Sequence, residues 1–385
     1  MAATALDTSR AVKEIAVRCG ARAVRIAAAD SDPATLDRMR AALGRGDLAT
    51  WSYGDAYARA ATDPQALLPG ARSVVCIAVP YATAPPPERR GRGRVSAYAW
   101  SRDYHRAMHA LLRAIAAEID LLAGAPATEV VCDTAPLAER AFAARSGLGW
   151  IGKHTSLIVH GLGSAVFLGE IVTTLALEPD PPLRTSCGAC TRCVDVCPTG
   201  ALRGDRTMDA TRCISDLTQR RDAIPRALRP LIGTWVWGCD LCNDACPPSI
   251  LAGRAGGAAF APAADAIAAP DLRVLLRTRG AAFRSMRATG MGWRGAAVLR
   301  RNAAVALGNE LDRANVPALI DALRDDHSAL VRGHAAWALG RIGSPRARAA
   351  LHAAAASERD PAVREEVMLA LEPRGTLAAF QQQTL

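Results

Sequence analysis

Eight of the eleven cysteines in this 385-residue chain lie between Cys187 and Cys246. The first four are spaced Cys187-x2-Cys190-x2-Cys193-x3-Cys197-Pro198. The last three, Cys239-x2-Cys242-x3-Cys246-Pro247, repeat that spacing with one ligand missing, and Cys213 stands between the two runs. In the two-cluster ferredoxin pattern, three thiolates of one tight loop cap three irons of a cubane. The fourth, just before proline, ligates the neighbouring cluster. The spacing therefore predicts one [4Fe–4S] cluster on Cys187, Cys190, Cys193 and Cys246, and a second on Cys197, Cys213, Cys239 and Cys242. Two structural zinc ions are the alternative, although such sites do not ordinarily carry the Cys-Pro ending. A colourless protein with stoichiometric zinc would decide for them.

Two further groups have chemistry in their side chains. Asp133 ends a short apolar run, Glu129-Val130-Val131-Cys132, and precedes Thr134-Ala135-Pro136 and a predicted helix holding Glu139 and Arg140. A carboxylate at that junction serves either as a catalytic acid or as a helix N-cap, and the pattern leaves both open. Gly147-Leu148-Gly149-Trp150-Ile151-Gly152-Lys153-His154 places three glycines around a tryptophan, which would let backbone approach something bulky and flat. Its GxGxxG spacing is that of a dinucleotide fingerprint. Here, however, a helix precedes and strands follow, the reverse of what that fingerprint needs, so NAD is excluded. Lys153 and Arg140 either meet polar groups of such a ligand or pair with surface carboxylates.

Several elements must position these groups. Ala11, Ile15 and Val17 mark an apolar helix face, followed by a strand at Ala23–Ala27. Arg72–Pro80 reads as a buried strand with Cys76 as a plain core residue, and Cys19 and Cys132 are read the same way. Tyr104–Leu122 reads as a long amphipathic helix. Leu157–Leu177, broken by glycines and Glu170, reads as two buried strands and not as a membrane span. After an Ala/Gly/Pro-rich stretch, Leu299–Gly308 recurs as Val331–Gly340 and again as Val363–Leu371, each thirty-two residues on. A helix-pair repeat of that period is a short HEAT-like solenoid. Arg300, Arg301, Asn302, Arg332, His334 and Arg341 recur on it, and Arg294 precedes it. They form either a positive edge for phosphates or a solvated edge.

Net charge is +10 and the sequence pI is near 9.4, which favours a polyanionic partner. Met1–Arg10 shows no signal-peptide pattern, and thiolate-ligated clusters belong in a reducing compartment, so a cytoplasmic protein is expected.

Taken together, the blocks resemble the epoxyqueuosine reductase family. They are Tyr98-Ala-Trp-Ser-Arg-Asp103-Tyr-His105, Asp133-Thr-Ala-Pro-Leu137, Gly147–Lys153, Cys213-Ile-Ser-Asp-Leu-Thr218, Arg229-Pro-Leu-Ile-Gly233, Gly238-Cys239-Asp240 and Arg301-Asn302, in the family's order. The resemblance implies a monomer that binds base-off cobalamin, carries two [4Fe–4S] clusters and reduces epoxyqueuosine to queuosine at the wobble position of tRNA. Electrons would come from a flavodoxin- or ferredoxin-type donor. It implies Asp133 as catalytic acid, with a raised pKa in a buried setting, and Asp103 as a second functional carboxylate. Ser96, Asp133, Arg140, Gly149, Trp150, Gly152, Lys153 and His154 would border the cobalamin. Arg294, Arg300, Arg301, Asn302 and Arg332 would face the tRNA anticodon stem-loop.

The fold class expected is α+β: an α/β corrinoid-binding domain over 1–178, a two-cluster ferredoxin-like domain over 179–255, a linker over 256–279, and all-α HEAT-like repeats over 280–385. The chain departs from the family pattern at His154, Asn243, Pro248-Ser249 and Ser96. Two other readings remain open at this point. One is a corrinoid iron–sulfur reductase of a small molecule, akin to reductive dehalogenases; the other is a non-catalytic ferredoxin-like carrier or RNA-binding scaffold.

Overall fold

A computed structural model describes residues 4–81, 83–253 and 256–372. The end of the expected repeat region, 373–385, lies outside the described residues, as do 1–3 and 254–255, the ends of two other expected domains. The chain forms two compact units, each assembled from three stretches. The first takes 1–84, 103–211 and 240–261; the second takes 85–102, 212–239 and 262–385. The ferredoxin-like segment is therefore divided between the units in sequence and does not stand apart.

The first unit is built on a sheet of β1 (Ala23–Ala28), β2 (Ser73–Pro80), β3 (Thr128–Val131) and β6 (Val166–Thr173), in the order β1-β2-β6-β3. All of its pairings are antiparallel. Every residue of β2 is buried, as its unbroken apolar run requires. Helix α1 (Ala5–Cys19) opens with a capping box between Thr4 and Asp7 and buries Val12, Ile15 and Ala16. Val17, expected to point inward, is 57% exposed, because residues two apart do not share a helix face.

Helix α2 (Tyr104–Ala123) is capped by Asp103 and buries Met108, Leu112, Ile115 and Ile119 at helical spacing. It rests on Gly169 of β6, where a Cβ would stand 2.8 Å from Leu112 Cδ1. Side chains alternate along a strand, so the next residue, Glu170, points to the opposite face. There α3 (Glu139–Arg145) packs Phe142 and Ala143 into a core with Cys76, Val131 and Val172. Strands β4 (Gly149–Ile151) and β5 (Leu157–Val159) form a hairpin directly after α3.

The second unit carries the repeats. Helices α4 (Ala296–Asn309), α6 (Ala329–Ile342) and α8 (Pro361–Leu371) stack in series, with α5 (Val316–Asp325) and α7 (Pro345–Ser357) between them in sequence. Gly308 lies against Ala338, and Gly340 against Ala370, with room for no Cβ in either place. Small residues at this repeated position let equivalent helices approach closely. The stretch read as a linker, 256–279, contains a helix, Leu272–Arg277, that buries Leu272, Leu275 and Leu276. No helix among the described residues is long and apolar enough to cross a membrane.

Candidate active site and cluster thiols

Beyond β3 the backbone turns sharply at Asp133, which adopts the left-handed conformation, φ 60°. Non-glycine residues enter that region at a cost of about 1 kcal/mol, Asn and Asp most readily. The Asp133 N–H donates to Glu139 Oε1 at 2.8 Å. Asp133 is not a helix cap, because α3 begins six residues later and its N-cap position is Ala138. This settles one of the two sequence readings of Asp133 and leaves its carboxylate available for chemistry.

That carboxylate is 61% exposed, and its Oδ2 lies 3.2 Å from His105 Nε2. On the other side of the ring, His105 Nδ1 lies 2.6 Å from Asp103 Oδ1, and Asp103 also accepts the His105 backbone N–H at 3.1 Å. Asp103 and Asp133 are thus brought together by a residue the sequence reading did not select. With a carboxylate at each ring nitrogen, both nitrogens donate best when the ring is an imidazolium. Asp133 first, and Asp103 with it, raise the His105 pKa above its ordinary value. Reciprocally, His105 holds the Asp133 carboxyl below the usual carboxylate range, helped by the Tyr104 hydroxyl. This corrects the expectation of a buried Asp133 with a raised pKa: the carboxylate is open to solvent and the adjacent cation outweighs desolvation. Beside it, Tyr104 stacks on Phe167 with ring centroids 4.1 Å apart, and Phe167 packs against Tyr81 and Phe260. The result is an aromatic floor next to the acid.

Arg140 joins this turn to the glycine-rich hairpin, its Nη1 donating to Thr155 O at 2.8 Å. The glycines serve the protein's own packing. A Cβ on Gly147 would strike the carbonyl of Pro181, one on Gly149 the carbonyl of Ile158, and one on Gly152 the side chains of Ile158 and His154. The bulky neighbour inferred from the glycines is therefore the hairpin and the adjacent chain. The hairpin does present two unpartnered groups. His154 Nδ1 accepts the Ser156 N–H at 3.2 Å, which leaves Nε2 as the N–H of a neutral ring. Burial draws the His154 pKa down to about 4. Among the described residues neither His154 Nε2 nor Trp150 Nε1 has a partner, and both atoms are buried. Two buried N–H donors with no protein acceptor fit a large ligand edged with carbonyls, such as the amide rim of a corrin. Lys153 is half-buried at the tip of the same turn. Ser96 belongs to the second unit, where it is buried and its N–H donates to Trp237 O at 2.8 Å.

None of the eight cluster cysteines is in a disulfide. In the first unit burial pushes the Cys193 and Cys246 thiols up, and Cys187 and Cys190 lie close enough to both to add to it. That is the set the spacing grouped together. Cys197 and Cys242 also belong to the first unit, Cys213 and Cys239 to the second. Near Cys246, Ser164 Oγ donates to Asn243 Oδ1 at 3.0 Å and lies 2.9 Å from Ser249 Oγ. Two positions that depart from the family pattern are thus tied together through one serine.

The expected positive edge of the repeats is not formed, and these assignments are corrected. Arg301 is fully buried, and its guanidinium donates to the carbonyls of Leu217, Arg220 and Asp222 and to Asn302 Oδ1. Asn302 in turn donates to the carbonyls of Thr218 and Val236. Arg300 grips Asp326 through two bonds, Arg332 grips Glu358 through two, and His334 is buried. These side chains clasp segments of the same unit: all five N–H donors of Arg301 and both of the Asn302 amide are taken by protein acceptors, and Arg300 and Arg332 are paired with Asp326 and Glu358. Arg294 is different. Its guanidinium lies 3.7 Å from the ring centroid of Trp293, which is 49% exposed.

Thiols of ferredoxin spacing in a chain that also carries a carboxylate–imidazole–carboxylate cluster define an iron–sulfur oxidoreductase. Residues 186–249 match the 4Fe-4S double cluster binding domain, 62–134 the epoxyqueuosine reductase family, and 294–372 the HEAT repeats. The epoxyqueuosine reductase of Bacillus cereus is 37% identical, with 81% of this chain and 83% of that protein aligned. That of Xanthomonas campestris is 40% identical, over 76% and 83%. A crystal structure of epoxyqueuosine reductase with an epoxyqueuosine-modified tRNA-Tyr stem loop has TM-score 0.88 and 32% identity, covering 94% of this chain and 97% of that one. A Bacillus subtilis structure, with its catalytic Asp loop swung out of the active site, has TM-score 0.87 and 31% identity at the same coverage. The chain belongs to the epoxyqueuosine reductase family, and it is an oxidoreductase that carries iron–sulfur clusters.

Proposed function

We propose that this chain reduces epoxyqueuosine to queuosine at the wobble position of tRNA, with Asp133 as the proton donor to the departing oxygen. The observation that carries this reading is the Asp103–His105–Asp133 chain. Removing an epoxide oxygen takes two electrons and two protons and yields an alkene and water. Clusters on the eight cysteines, crosswise as the spacing groups them, would supply single electrons, and base-off cobalamin a low-potential cobalt as nucleophile or reductant.

The protein's own part is proton delivery and positioning. Asp133 is ionised at rest, and the imidazolium of His105 is its proton store. As negative charge develops on the epoxide oxygen, the His105 Nε2 proton moves to Asp133 Oδ2, and Asp133 passes it on. Asp103 fixes the ring orientation through Nδ1 and stabilises the imidazolium before it gives up its proton; solvent then reprotonates His105, which supplies the second proton by the same route. His154, Trp150, Arg140 and Lys153 are assigned to the corrin edge. The matched tRNA complex and the net positive charge support an anticodon stem-loop as partner. Of the residues expected to face it, only Arg294, stacked on exposed Trp293, keeps that assignment. A flavodoxin- or ferredoxin-type donor, a monomeric state and a cytoplasmic setting complete the reading.

The test is incubation of the reduced protein, loaded with clusters and corrinoid, with epoxyqueuosine-containing tRNA. Nucleoside mass spectrometry should show queuosine; none formed by a fully loaded sample would overturn the proposal.

A further inference from the structure

Directly beneath the Asp133 turn lies a second pair of carboxyl groups that the mechanism above does not use. Glu170 sits in the middle of β6, facing Cys76 of β2 and Val131 of β3, and is completely buried. No donor among the described protein groups reaches either of its carboxyl oxygens. Its polar neighbour is the carboxyl of Glu139, at the start of α3, within hydrogen-bonding range. Glu139 is the group that accepts the Asp133 N–H. Two facing carboxylates, one in an apolar core, cannot both be ionised. The arrangement is satisfied when one proton lies between them.

We propose that Glu139 and Glu170 share a single proton and act as the latch of the Asp133 turn: protonated Glu170 donates to the Glu139 carboxylate, which holds the Asp133 N–H and so keeps Asp133 in its left-handed conformation facing His105. Glu139 and Glu170 are positioning residues that act through Asp133. The inference deepens the role proposed for Asp133 and rests on that reading for its functional meaning, though not for its existence. A relative has been captured with its catalytic Asp loop swung out, and a latch decides between such positions.

The titratable groups around the pair are Arg140 on α3, Asp133 and Cys132 on the turn, Cys76 on β2, Tyr104 on α2 and, from helix Asp55–Ala61, Tyr57. Arg140 is the cation among them and favours the ionised form of Glu139; the others add apolar bulk or negative charge. Burial raises Glu139 to about 6 from 4.5 and raises Glu170 well above the same value. The sign follows. For an acid with a raised folded pKa, the stabilisation is complete below pH about 4.5 and is lost as pH rises through the folded value. The latch is closed at low pH. It opens when the second carboxyl ionises, because repulsion then pushes Glu139 off the Asp133 amide.

The experiment compares the cluster-loaded chain with E170Q and E139Q from pH 5.5 to 8.5. Glutamine at 170 keeps a donor toward Glu139 and cannot ionise. Amide hydrogen exchange of the segment holding Asp133, corrected for intrinsic rate, should lose about tenfold protection in the wild type over this range and stay protected in E170Q. The infrared spectrum of the wild type at pH 7.5 should contain the band of an un-ionised carboxyl, absent from E170Q and shifted in E139Q, where Glu170 stays protonated by burial but has lost its carboxylate acceptor. Identical protection profiles for wild type and E170Q would overturn the proposal, as would absence of that band from the wild type, a readout that needs no variant to fold. No substrate is used, so a protein that shows the latch but forms no queuosine would refute the functional reading alone.

Discussion

Replacing His105 with glutamine isolates the proton relay. The side chain has an amide that can still donate to one carboxylate, but it cannot store a proton. In the native protein His105 makes two charge-assisted contacts, 2.6 Å to Asp103 and 3.2 Å to Asp133. Such bonds contribute about 1.5–3 kcal/mol when shielded, but Asp103 and Asp133 are 43% and 61% exposed, so screening reduces the total to about 1 kcal/mol of stability. The kinetic effect is larger. Loss of a positioned acid costs about 10²–10⁴ in rate, and 10² corresponds to about 2.7 kcal/mol in the barrier. The pH profile moves as well. In the wild type the imidazolium persists above its ordinary pKa of 6.5, so turnover falls on the alkaline side above that value. In H105Q only Asp133 can hold the proton, and the alkaline limb moves down toward the carboxylate range. Single-turnover rates across pH, with cofactor content matched, measure both effects. A variant within about threefold of wild type, well inside the expected loss, or with its alkaline limb unmoved, would refute the relay.

Other outcomes follow from the same geometry. Arg301→Met removes all of that side chain's donors and strands three buried carbonyls, so the second unit should lose about 3–5 kcal/mol in denaturant melts; an unperturbed melt with weakened, less salt-dependent tRNA binding would restore the phosphate-contact assignment. Cys246→Ala should halve iron from about eight to about four per chain and give the same electron paramagnetic resonance spectrum as Cys187→Ala. Different residual spectra would break the crosswise grouping. Arg294→Ala should weaken stem-loop binding and lower its salt slope by about one, read by titration at several salt concentrations, whereas an unchanged slope returns Arg294 to a surface stacking role.

The double-cluster domain, the long helix after Asp103 and the repeat period were legible because each is set by spacing along the chain. The choice between acid and cap at Asp133 was not, because it turned on where α3 starts, and Pro136 and the Glu139 contact postpone that start by a few residues. His105 escaped notice because one histidine on a helix carries no signal until the fold brings Asp133, 28 residues away, to its free nitrogen. The repeat arginines were misread for a related reason. Recurrence marks a shared structural position, and at Arg300, Arg301 and Arg332 that position faces loops of the same unit. Glycine spacing likewise signals close approach without naming the partner, which at Gly149 and Gly152 is the hairpin itself.

The most direct test of Asp133 as the proton donor is Asp133→Asn, since asparagine tolerates the left-handed backbone and cannot deliver the proton. In a single turnover with epoxyqueuosine-modified stem-loop, wild type should yield the nucleoside lighter by one oxygen, and the variant should yield none while retaining full iron and corrinoid. Queuosine formed by the variant at a wild-type rate would contradict the account.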